Sequence, residues 1–129
     1  MNFHAVFNKK LLDFADDLQN LKQDIGATIP EIDSLRPFVL LASTFDPSKP
    51  QQMFHEHVVS KYESQIARKD EQFFMEERYD EVASGGDAGG GGNIVDMLKR
   101  VWRDLSPDNK DAIWRHLHVL VTLNNRCRN

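Results

Sequence analysis

Residues Ile94 to Leu123 constrain the fold more than any other stretch, because two helical apolar stripes meet there at a hard stop. In the first stripe Ile94, Leu98, Val101, Trp102 and Leu105 recur at three- and four-residue steps, so they share one helix face. Asn93 is placed to cap that helix, its side-chain oxygen accepting an otherwise unpaired backbone N–H. The stop is Leu105-Ser106-Pro107-Asp108. Ser106 is the stronger cap, Pro107 sits at the first helical position where its missing N–H costs nothing, and Asp108 meets the positive end of the helix dipole. The second stripe is Ile113, Leu117, Leu120 and Val121, widened by Trp114. So short a break makes the helices fold back or cross steeply, and Trp102 and Trp114 are expected near their packing.

Upstream, Phe3, Phe7, Leu11, Phe14, Leu18, Leu21 and Ile25 form a stripe that predicts one helix, the longest in the chain, ended by Gly26. It either packs on the chain's own core or serves as a groove-binding or self-associating helix. Thr28-Ile29-Pro30-Glu31 starts the next helix. Its run Phe38 to Ala42 is expected to be the most buried turn of the N-terminal half, and Pro37 to kink or divide it. After a loop at Phe45 to Pro50, a third helix runs from Gln51 to Arg68 with Met53, Phe54, Val58, Tyr62 and Ile66 on one face. Asp70 then caps a short helix carrying Phe73, Phe74 and Met75.

These elements predict an all-α fold. It is a compact bundle of five or six helices in a single domain, residues 1–129, closed by a C-terminal helical hairpin. Residues 84–93 hold six of the seven glycines and read as a flexible linker between 1–83 and 94–129.

Charge divides the chain at that linker. Residues 1–93 carry 9 Lys/Arg against 16 Asp/Glu, whereas residues 94–129 carry 7 against 4. The two parts are expected to attract each other, within the fold or between copies. Two surfaces follow as partner-binding candidates: the acidic Asp70, Glu71, Glu76, Glu77, Asp80 and Glu81, and the basic Lys99, Arg100, Arg103 and Arg115. The basic set alternates with Asp96, Asp104, Asp108 and Asp111, and the pI is near 5.7, which makes nucleic acid the weaker partner. A protein partner or self-association is the stronger expectation. No apolar run approaches the ~20 residues of a membrane-spanning helix. Met1-Asn2-Phe3-His4 lacks the pattern of a secretory signal, and the single cysteine, Cys127, fits a free tail thiol in a reducing, intracellular setting.

Catalytic signatures are missing from the sequence. The glycines do not follow the phosphate-loop pattern. His55-x-His57 and His116-x-His118 place residues two apart, on opposing sides of a helix, which suits no shared metal ion. Adjacent carboxylates such as Asp16-Asp17 and Glu76-Glu77 do not face each other either. The expectation is therefore a non-enzymatic protein with no catalytic, cofactor-binding or metal-binding residues. Trp102, Trp114, Ser106 and Pro107 act structurally.

Two stretches, Lys69-Asp70-Glu71-Gln72-Phe73-Phe74 and Asp108-Asn109-Lys110-Asp111-Ala112-Ile113-Trp114-Arg115-His116-Leu117, occur in a suggestive order around the glycine segment. The arrangement resembles small uncharacterised helical proteins of large double-stranded DNA viruses, notably those infecting algae. The resemblance spans residues 3–123 and carries no catalytic residues. It implies a viral origin, a host-cell or virion location, and a role as a minor structural or assembly component such as a minor capsid protein.

Overall fold

A computed structural model describes residues 2–72 and 91–128. Among them the backbone is helical with no strand: α1 (Phe3–Leu18), α2 (Leu21–Ile25), α3 (Pro30–Phe45), α4 (Lys49–Phe54), a π turn (His55–Val59), α5 (Ser60–Ala67), α6 (Gly91–Val101), a 3₁₀ turn (Trp102–Asp104) and α7 (Pro107–Arg128). Since α4, the π turn and α5 run on without a break, the described residues form six helices, and the all-α reading holds.

The N-terminal stripe packs on the chain's own core. Asn2 starts α1 by accepting the Ala5 N–H at 3.1 Å, and Phe7, Leu11, Phe14 and Leu18 are buried where α1 lies against α7 and α3. The stripe is not one long helix, however. The N–H groups of Gln19 and Asn20 bond back three residues, to the carbonyls of Asp16 and Asp17, which tightens and ends α1 before α2 begins. At 16 residues α1 is shorter than α7, which has 22 and is the longest among the described residues. Gly26 closes α2 as expected, with φ of 73°, a left-handed conformation that Gly adopts without Cβ strain.

Pro30 stands in the first turn of α3, a helix that removes one of the two outcomes expected at Pro37 and corrects the expected burial of Phe38 to Ala42. Pro37 does not divide it: the ring is exposed, and buried Leu35 and Val39 anchor the chain on either side of the lost backbone bond. Nor is Phe38 to Ala42 deeply buried. Ile32, Leu35 and Val39 are buried and Phe38 packs half-buried against the core, while Leu40 and Leu41 are exposed, because a helix presents about a third of its surface to one side and an unbroken apolar run must wrap around to the other.

The α4–α5 helix buries Phe54, Val58, Val59 and Ile66. The π turn carries an extra residue through one turn, and two consecutive valines are buried in it. In the C-terminal hairpin, α6 is already under way at Gly91, so Asn93 is not its cap and the last three residues of the expected linker are helical. The rest of that linker, with Phe73, Phe74, Met75, Glu76, Glu77, Asp80 and Glu81, lies outside the described residues. Met97, Leu98 and Trp102 are buried, and Trp102 meets Trp114 edge to face with ring centroids 5.5 Å apart. Cys127 is not in a loose tail: α7 continues past it, and its half-buried thiol packs against the core, where burial pushes its pKa up.

Candidate interaction surface

Polar groups at the hairpin are tied down one by one. Ser106 caps α7 as read from the sequence, its Oγ accepting the Asn109 N–H at 3.2 Å. Its own N–H donates to Asp24 Oδ2 at 2.8 Å, and Asn109 Nδ2 donates to the same oxygen at 2.7 Å. Those two bonds, the backbone one first, hold the Asp24 carboxyl below its ordinary value of 3.8. Thus α2 is stapled to the hairpin by a residue that sequence reasoning passed over. An Asp two residues before a helix-ending Gly carries no local sign of a partner 82 residues away.

Of the acidic candidates, Glu71 faces the hairpin. Its Oε2 accepts the Trp102 indole N–H at 3.0 Å and lies 3.2 Å from Lys110 Nζ, whose ammonium also sits 5.7 Å from the Trp102 ring centroid. The indole bond, then the ammonium, lowers the Glu71 pKa. Asp70 pairs locally with Arg68 at 3.4 Å. Two of the basic candidates meet groups of the chain itself. Arg100 pairs with Glu31 of α3, and Lys99 Nζ lies 5.9 Å from the Tyr62 ring centroid. Arg103 and Arg115 are exposed on the 3₁₀ turn and on α7. Attraction between the acidic and basic parts is therefore at least partly spent within the fold.

A second polar cluster was also not foreseen. Asn124, fully buried on α7, accepts the Gln51 Nε2–H at 2.7 Å and donates from Nδ2 to His55 Nδ1 at 3.1 Å. The cluster satisfies the buried Gln51 and Asn124 side chains and fixes α7 against the π turn. Two further histidines are similarly occupied: His116 stacks on Phe14 and bonds Asp17, and His118 donates to the Ile66 carbonyl at 2.6 Å. Among the described residues no three His, Cys, Asp or Glu side chains converge as a metal site would require, and no helix is long and apolar enough to cross a membrane. An apolar cavity of about 30 Å³, bordered by Phe14, Leu35, Val39, Phe54 and Ile94, is far below the ~300 Å³ at which ligand pockets begin.

The outer face of α3 has the opposite character. Leu40 is 46% exposed, Leu41 61% and Phe45 83%. Leu41 and Phe45 are four residues apart and, with exposed Pro37 one turn before, make a ridge of i, i+4 spacing on the side away from the core. No charged residue occurs from Pro37 through Phe45. The three charges that α3 does carry are each paired within the chain: Glu31 with Arg100, Asp33 with Lys22, and Arg36 with Asp16. The sequence signal for this face is the uncharged run, of which the apolar part Phe38 to Ala42 suggests burial when its position around the helix is left out.

Compared with protein-family models, curated proteins and solved structures, the chain matches none.

Proposed function

We propose that this chain is a non-catalytic interaction protein, and that the outer face of α3 is where its protein partner sits. The observation that carries this reading is the exposure of Leu41 and Phe45 on one uncharged ridge, with half-exposed Leu40 on its flank. Single exposed apolar residues are ordinary, but a contiguous ridge ending in an almost fully exposed Phe is the kind of patch that marks a contact surface. The hairpin supports the reading by contrast, since its aromatic side chains are buried and its polar groups are bonded within the chain. The role in a virus particle rests on the resemblance of the two quoted motifs. Such a role would use an apolar ridge between subunits of an assembly, and mass spectrometry of purified particles tests it, with absence of the protein removing that part of the proposal.

The face itself is tested by affinity capture from the source cell, native chain against the Leu41→Arg, Phe45→Arg double variant. A specific set of proteins retained by the native chain and lost by the variant, with unchanged helical circular dichroism, is the expected result. Identical retained sets would remove α3 as the binding face.

A further inference from the structure

We infer that the end of α7 is held by a pH-sensitive latch, in which His55 of the π turn accepts a hydrogen bond from Asn124 only while its imidazole is unprotonated. The donor and acceptor inventory decides this. A side-chain amide nitrogen carries protons and offers no lone pair, so the 3.1 Å contact between Asn124 Nδ2 and His55 Nδ1 requires a lone pair on the ring nitrogen. The neutral ring then carries its proton on Nε2. The Asn124 amide is fixed from its other side. Its Oδ1 accepts the Gln51 Nε2–H at 2.7 Å, and its Nδ2 also donates to Asn125 Oδ1 at 3.3 Å. Turning Asn124 alone would set its NH₂ group against that of Gln51. Gln51 is 3% exposed and Asn124 fully buried, so neither can hand a broken bond to water. When half-buried His55 takes a second proton, an N–H meets an N–H and the latch opens.

The latch sits where its release has a local effect. Asn124 lies one turn before Arg128, where α7 ends. One turn and a half earlier, His118 donates from Nε2 to the Ile66 carbonyl, a bond that survives protonation of the other ring nitrogen. Beyond Asn124 the helix is held by Arg126, 5.7 Å from the Phe3 ring centroid, and by half-buried Cys127. The charged and titratable groups on the elements around His55 are Glu56, His57 and Glu63 on its own helix, Arg128 and Cys127 on α7, His4 on α1, and Asp96 and Lys99 on α6. Among the described residues none of them is bonded to or ion-paired with His55, whose polar partner is Asn124. Glu63 is met by Asn125 at 3.5 Å, His4 and Lys49 act on Asp46, and Lys99 lies over the Tyr62 ring. The sign follows: the latch is closed above the histidine range and is lost as pH falls through it.

Two measurements on the full chain test the inference. Imidazole ¹⁵N resonance at pH 7.5 should show His55 with its proton on Nε2 and a bare Nδ1. A proton on Nδ1 overturns the latch. The second reading is local, because protonation of His116 strengthens its pair with Asp17 and whole-chain stability would mix the two signs. Cys127 is the chain's single thiol, so its rate of reaction with dithiodipyridine reports on the end of α7. The native chain is compared with His55→Asn, which keeps an acceptor oxygen near the place of Nδ1 and does not titrate. Taking the ratio of the two rates at each pH cancels the ionisation of the thiol itself. Between pH 7.5 and 5.5 the native-to-variant ratio should rise by about tenfold, the factor expected for a histidine that titrates near 6.5 once released. A ratio that changes by less than about twofold overturns the inference.

Discussion

The corner between α6 and α7 and the outer face of α3 draw on the same residue types and treat them oppositely. At the corner, Trp102, Leu105, Ile113 and Trp114 are buried. Glu71, Asp24, Ser106 and Asn109 take up the polar groups around them. On α3, Leu40, Leu41 and Phe45 stand in solvent within a run equally rich in apolar side chains. The difference lies in spacing. Apolar residues at three- and four-residue steps fill one helix face and can all be buried together, whereas nine consecutive uncharged residues cover the whole circumference of a helix that has a core on one side only. Local apolar density is thus a poor guide to burial, and periodicity a good one.

The comparison breaks most visibly at the tryptophans. Trp114→Ala should lower the unfolding free energy by about 3–5 kcal/mol, as loss of a buried aromatic does. Chemical denaturation measures it, and a change below about 1 kcal/mol would mean that the corner is not core. A smaller effect is expected at the far end of α7. Asn124→Ala leaves the buried Gln51 amide without its acceptor and should cost about 1–3 kcal/mol in the same assay. A neutral outcome would show that Gln51 finds another partner.

The staple between α2 and the hairpin is read through pH. Asp24 has a pKa lowered in the folded state by the Ser106 N–H and the Asn109 amide. Its contribution is therefore fully present above the unfolded-state value and is lost as pH falls through the lower folded one. Asp24→Asn should be less stable than the native chain near neutral pH, and the gap should narrow as the solution is acidified below the ordinary carboxylate range. A gap that stays constant with pH would assign the effect to packing and not to the ionised carboxylate.

Much of the fold was legible in the sequence. Ser106-Pro107 placed the start of α7, Gly26 the end of α2, and the stripes of α1, α6 and α7 their buried faces, because each of these signals is local. The break after Leu18 was not legible, since Gln19 and Asn20 leave the apolar spacing intact while the backbone tightens. The π turn and the Gln51–Asn124–His55 cluster were not legible either, as they depend on α4 and α7 meeting across more than 70 residues of sequence. The candidate surface was half legible. The sequence offered the uncharged run of α3 but not its orientation, which follows from Ile32, Leu35 and Val39 taking the core side.

On the proposed reading the α3 ridge serves association and not stability. Equilibrium denaturation of the Leu41→Asp, Phe45→Asp double variant, in dilute solution, tests it most directly. The unfolding free energy should stay within about 0.5 kcal/mol of the native value, as for surface substitutions away from packed features. A loss of the size expected for Trp114→Ala would place Leu41 and Phe45 in the core and contradict the account.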